Sequence, residues 1–224
     1  MRLNILAIFL IFSAGVLTAQ TFNMNLDQQT ASWQVCTNPG GQGTPIATTI
    51  TPKTNGLEFS LKGPAYTDAL FCDKTFPETS ANSFQSDFWV TIDSLKNVQA
   101  LEYDMGVFNP PTEFMFGTEC VIGEYWQVWN GLTGNWENTA VKCNITTGRH
   151  HIQEWSHRIG TTMYFDEIGV DQLYYAIGMS EPAGPEPDNW PGFAVIQFQL
   201  DTSDVTGDVT ISEKVEDVNF MELY

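Results

Sequence analysis

Basic residues are scarce in this chain: nine Lys and Arg stand against 27 Asp and Glu, a formal net charge of −18 over 224 residues. A surface this acidic repels phosphate backbones and anionic headgroups, which excludes nucleic acid and membrane surfaces as partners. Polyanionic polysaccharides are disfavoured for the same reason, whereas neutral sugars, cations and peptides stay open. Long apolar runs are missing too. The longest unbroken one, Ile5 to Phe12, falls short of the ~18–20 residues that span a bilayer, so no membrane insertion is expected. No Cys-x-x-Cys occurs, which argues against a zinc site. A Gly-rich phosphate loop, a Gly-x-Ser-x-Gly elbow and a zincin helix motif are likewise absent. There is no internal repeat, no low-complexity linker and little helical periodicity.

What is present begins at the N-terminus. Met1-Arg2 is a short positive start, Ile5 to Phe12 an apolar stretch, and Gly15-Val16-Leu17-Thr18-Ala19 a small-residue exit. That pattern predicts a signal peptide over 1–19, cleaved after Ala19 or Gln20, and a secreted, extracellular or periplasmic protein. Residues 20–224 are then long enough for one sizeable core and are expected to form a single domain. Cys36, Cys72, Cys120 and Cys143 survive cleavage. An even count in an exported chain favours two disulfides over four free thiols, with three pairings open. Cys120 and Cys143 flank a hairpin-like stretch, which favours that pair and leaves Cys36–Cys72.

Period-two alternation recurs along the chain, and it predicts strands. Leu57, Phe59 and Leu61 alternate with polar neighbours, as do Phe88, Val90 and Ile92. So do Leu101, Tyr103, Met105 and Val107; Trp126 and Val128 within 124–130; and Ile196, Phe198 and Leu200. Further strands are expected over 114–122, 150–159, 162–166, 171–177, 208–212 and 215–223. Many short strands separated by Gly, Pro and Asn turns indicate an all-β, two-sheet antiparallel β-sandwich or jelly roll. The proline-rich stretch 181–192 reads as a long surface loop inside it.

The segment from Gly148 to Asp171 resembles a strand–turn–strand of concanavalin A-like and laminin-G-like domains, which carry a Trp-His-His-Val strand and a Tyr-x-Asp-Gly hairpin. Arg149 stands where the Trp would be and Gln172 where the Gly would be. With Leu101 to Asp104, Phe116 to Cys120 and Ile196 to Asp201, the chain is similar over roughly 55–223 to exported bacterial proteins of the concanavalin A-like lectin/glucanase superfamily. The resemblance implies a concanavalin A-like jelly roll. That fold hosts lectins, glucanases, lyases and adhesion modules, so it does not choose among them.

If the apolar sets face inward, the opposite faces present Glu102, Asp104, Tyr125, Gln127, Trp129, Gln197, Gln199 and Asp201. Amides and carboxylates offer hydrogen bonds to hydroxyls, and aromatic rings stack on the apolar faces of sugar rings. Glu102, Asp104, Gln127, Trp129, Gln197 and Gln199 are therefore the expected carbohydrate-binding residues of a secreted lectin-like protein that binds a neutral glycan. Glu102-x-Asp104 is also the sharpest catalytic candidate, because alternate strand residues share a face. It resembles the first half of the Glu-x-Asp-x-(x)-Glu strand of laminarinase-like glucanases. Here Gly106 and Val107 occupy the positions of the second Glu, so Glu119 or Glu124 would have to replace it. This tilts the reading toward a binder, with a β-glucanase-type glycoside hydrolase and an extracellular adhesion module as alternatives.

His150, His151 and His157 lie near Glu154 on one strand, where a bulge is expected, and they read as structural. The acidic turns Asp201 to Asp204, Gly207-Asp208 and Asp166-Glu167, with Asp171, could hold Ca2+, the only cofactor the residues suggest. Asn144-Ile145-Thr146 is a glycosylation sequon, meaningful in a eukaryotic source.

Overall fold

The computed structural model describes residues 20–24, 32–36, 43–73, 81–109, 111–185 and 195–223. The expected signal peptide, and most of the proline-rich loop at 186–194, lie outside the described residues. The elements are strands: β1 (Gln20–Met24), β2 (Trp33–Cys36), β3 (Ala47–Lys53), β4 (Gly56–Gly63), β5 (Asp68–Asp73), β6 (Ser83–Ile92), β7 (Val98–Asn109) and β8 (Thr112–Val121). They continue with β9 (Tyr125–Asn130), β10 (Asn135–Lys142), β11 (Gly148–Ile159), β12 (Thr162–Val170), β13 (Leu173–Pro182), β14 (Gly184–Pro185), β15 (Val195–Thr202) and β16 (Val209–Leu223).

These form two antiparallel sheets. The first runs β13-β12-β11-β6-β16-β4-β3, with β1 also paired to β16. The second runs β10-β9-β8-β7-β15-β5-β2, with β14 paired to β8. Alternation explains why they stack. Along β6 burial changes at every residue, turning Phe84, Phe88, Val90 and Ile92 inward. Where the facing sets meet, the Phe198 ring centroid lies 5.3 Å from Phe88 and 5.8 Å from Phe59 of the first sheet. On its own sheet it lies 5.5 Å from Trp33 and 5.8 Å from Tyr103. Each such buried ring contributes roughly 1.5–3 kcal/mol by leaving water, so this cluster pins the sheets together.

Both disulfides have the expected pairing: Cys36–Cys72 ties β2 to β5, and Cys120–Cys143 ties β8 to the segment after β10. Several boundaries differ from the sequence reading. Residues 171–177 do not form one strand. Val170 pairs with Leu173, so Asp171 and Gln172 are the two-residue turn, with φ of 50° and 69°. Positive φ at both central positions matches the right-handed twist of a hairpin, and Gln172 adopts the conformation that the related Gly would take freely. The expected strands 208–212 and 215–223 are one strand, β16, whose register shifts between Glu216 and Asn219 at Asp217, φ 49°. Strands β2, β3, β5 and β10 escaped the alternation count. β5 is buried at five of its six positions and so shows no polar beat.

Two acids lie between the sheets. Glu154 of β11, read from sequence as a neighbour of the histidines, instead reaches inward. There it accepts hydrogen bonds from Ser86 Oγ at 2.8 Å and from Thr118 Oγ1. Burial pushes its carboxyl up to about 7, although both hydroxyls pull the other way. Glu213 of β16 is 1% exposed and faces the Tyr103 hydroxyl, with neither group in a hydrogen bond of good geometry. Burial pushes Glu213 up to about 8.

Candidate functional site

All six expected binding residues lie on one sheet and on one face of it, the face of the second sheet turned away from the first. Strand pairing arranges them in two adjacent rows. In one row Gln199 of β15 pairs with Glu102 of β7, Glu102 with Glu119 of β8, Glu119 with Gln127 of β9, and Gln127 with Asn138 of β10. In the next row Gln197 pairs with Asp104, Asp104 with Gly117, and Trp129 with Trp136. The period of two in each strand puts these residues on a common face, and the register sets them side by side.

Gly117 is the hinge of the second row. A Cβ there would lie 2.7 Å from Asp104 Oδ1, 3.1 Å from Trp129 Cβ and 3.1 Å from Trp136 Cη2. Only the lack of a side chain lets the carboxylate and the Trp136 ring edge approach over the same point. The two indoles meet edge to face, with centroids 5.2 Å apart. Asp104 Oδ1 is shielded from solvent and accepts no hydrogen bond.

The face is unevenly covered. Glu102, Asp104, Gln197 and Gln199 are 3–7% exposed, far more buried than outward strand residues were expected to be. Gln199 Nε2 donates to Asp201 Oδ1 at 3.2 Å, and Gln197 Nε2 points toward Met115 Sδ at 4.0 Å. Toward β9 and β10 the face opens: Glu119, Gln127, Trp129 and Trp136 are half-buried and Asn138 is exposed. Gln127 Nε2 donates to Asn138 Oδ1 at 2.8 Å.

Crowded carboxyls in a poorly hydrated place hold their protons. Burial, then the neighbouring Asp104 charge, raises Glu102 well above the usual carboxylate range. Burial pushes Asp104 up to about 7, with the hydrogen bond from Glu102 pulling it back. Glu102 is thus the proton donor of the pair. Burial also pushes Glu119 up to about 7 and raises Asp201. Of the two carboxylates considered as partners for Glu102, Glu119 sits directly across from it. Glu124 is exposed in the β8–β9 turn.

The histidines do not converge. His150 Nδ1 lies 2.6 Å from Asp171, His151 Nε2 2.9 Å from Asp87, and His157 Nδ1 2.8 Å from Asp166. Asp171 also accepts the His151 backbone N–H at 2.9 Å, so this aspartate pins the β12–β13 turn to β11. Among the described residues no three His, Cys, Asp or Glu side chains come together in a metal-binding group, and two of the acids considered for Ca2+, Asp166 and Asp171, are engaged by histidines. The expected bulge falls between Trp155 and Ser156, where the opposing β12 carries Asp166 as the extra residue.

No family model matches the chain, and no curated protein matches it. Solved structures do. The winged bean acidic lectin complexed with methyl-α-D-galactose superposes with a TM-score of 0.51 at 11% identity, covering 91% of this chain and 98% of the lectin. The cellulose-induced protein Cip1 superposes with a TM-score of 0.51 at 9% identity, covering 87% of this chain and 93% of its own. The fold is a concanavalin A-like jelly roll. A Bacteroides ovatus mixed-linkage glucan GH16 protein gives 0.46 at 10% identity, over 89% of this chain and 99% of that one.

Among the members of the jelly roll's outer face that were missed in the sequence are Trp136 and Gly117. Trp136 lies on β10, whose burial pattern lacks clean alternation, so its facing could not be read. Gly117 carries no functional group, and its value is the space it leaves beside Asp104. A glycine inside an otherwise strand-like run was the available signal.

Proposed function

We propose that this jelly roll binds a carbohydrate devoid of anionic groups, a neutral glycan being the simplest, on the outer face of its second sheet. The observation that carries the reading is the half-buried Trp129–Trp136 pair standing beside Asp104, Glu119 and Gln127 on that face. The indoles offer apolar area for a pyranose ring. The amide and the carboxyls, which hold protons near neutrality, offer donors and acceptors to its hydroxyls. Glu102, Gln197 and Gln199 form the buried floor beside Asp104. Among the solved neighbours, the winged bean lectin carries a bound galactoside, which supports the reading by analogy of fold. The two disulfides suit an extracellular location.

Calorimetric titration against a panel of neutral oligosaccharides tests this. One or more members should bind, and Trp129→Ala should weaken that binding at least tenfold with the fold retained. Silence across the panel, or binding indifferent to the substitution, would remove the proposal.

One observation favours a second reading, glycoside hydrolysis. Glu119 faces Glu102 across the β7–β8 pair and supplies the third carboxyl that Gly106 and Val107 withhold. Reducing-end release from β-glucans, abolished by Glu102→Gln and by Glu119→Gln, is the expected outcome of this reading; no turnover across such substrates would exclude it.

A further inference from the structure

We infer that, among glycans without anionic groups, this face prefers one with free amino groups: a hexosamine oligomer stacked on Trp129 and Trp136, with its ammonium on Asp104 and Glu119. The inference rests on the carbohydrate-binding reading and names the ligand class of that same site.

Charge is the first argument. Asp68, Glu102, Asp104, Glu119 and Asp201 all lie on this face, Asp68 by pairing with Asp201. Among the described residues its only cation is Lys142, at the far end of β10. Lys53, Lys62, Arg149, Arg158 and Lys214 belong to the first sheet, and Lys96 lies in the turn between β6 and β7. Acidity alone would attract any counter-ion without selecting one. The second, independent observation is Asp104 itself: 7% exposed, with Oδ1 accepting no hydrogen bond and set against Gly117, whose open side is also approached by Trp129 Cβ and the Trp136 ring edge. A buried carboxylate oxygen without a donor is costly, and an ammonium is the donor that returns most.

The aromatic groups point the same way. On this very face the Lys142 ammonium sits 3.6 Å from the centroid of Tyr125, one strand position beyond Gln127 and Trp129. The face therefore already accommodates an ammonium against a ring, and indole is the stronger partner for such a contact. A neutral hydroxyl would gain neither the charge nor the cation–π term. An N-acetylated sugar would lose both and would need room for its acetyl group.

The experiment is calorimetry with the full chain and three hexasaccharides of matched β-1,4 linkage: glucosamine, N-acetylglucosamine and glucose, in buffer near pH 7, where Asp104 and Glu119 ionise. The glucosamine hexamer should bind about tenfold or more tightly than the other two, and the gap should narrow with added salt. Asp104→Asn and Glu119→Gln should each reduce the ratio of glucosamine-hexamer to glucose-hexamer affinity at least severalfold. Equal affinity for the three hexamers would overturn the inference and leave the carbohydrate reading standing. Silence with all three would overturn both. A preference that survives both substitutions would overturn the site, because it would then reflect only the overall charge of −18.

Discussion

Replacing Glu213 by Gln tests the account of the core directly. Glu213 lies between the sheets at 1% exposure, opposite the Tyr103 hydroxyl, and burial holds it at about 8 against an ordinary 4.5. Over that window the folded protein keeps a proton that the unfolded chain releases. The stability contributed is therefore complete below pH 4.5 and drains away as the pH rises through about 8. The interval is about 3.5 pH units at about 1.4 kcal/mol each, which sets a ceiling of about 5 kcal/mol. Water reaching the newly formed carboxylate relaxes the folded state, so roughly half, about 2–3 kcal/mol, is the expected loss in the wild type. The amide of Glu213→Gln does not titrate. At pH about 4.5 the variant should be less stable by about 1 kcal/mol, since its extra N–H is buried without a good acceptor. At pH about 9 it should be the more stable protein. Urea denaturation followed by tryptophan fluorescence across that range gives both curves, and the two should cross. Glu154, Asp104 and Glu119 titrate in the same window in both proteins and largely cancel in the difference. Parallel curves would refute the placement of Glu213 as a proton-holding core residue.

Other substitutions probe the face and the frame. Gly117→Ala introduces a Cβ 2.7 Å from Asp104 Oδ1 and 3.1 Å from Trp136 Cη2. It should cost about 1–3 kcal/mol in denaturation midpoint analysis and weaken glycan binding at least tenfold in titration. Phe198→Ala empties the centre of the ring cluster, and a loss of about 3–5 kcal/mol in urea unfolding is expected. Gln172→Gly relieves a φ of 69° in the β12–β13 turn and should raise the melting temperature by an amount equivalent to about 0.5–1 kcal/mol.

The strands with a polar beat and the β-sandwich class were legible from one dimension, because burial of one strand face writes a period of two into the sequence; the cysteine pairing followed from the hairpin-like stretch between Cys120 and Cys143. Leu57 to Leu61, Phe88 to Ile92 and Phe198 with Leu200 behave as that rule requires. The six binding candidates were found by the same rule, since a residue that avoids the core must face the other way. Their neighbours were not. Which strands adjoin is decided by long-range pairing, so nothing local announced that Glu119 would stand across from Glu102, or Trp136 beside Trp129. Polar identity also hides an inward position: Glu154, noted in the sequence only beside the histidines, and Glu213, singled out by no motif, lie between the sheets because packing around them outweighs the cost of holding a proton. The alternation of side chains along each strand was thus the sequence's own contribution. The order and register of the strands, which turn scattered carboxyls, amides and indoles into one face, came only with the tertiary structure, because a strand's hydrogen bonds are satisfied by whichever neighbour the whole core brings to its edge.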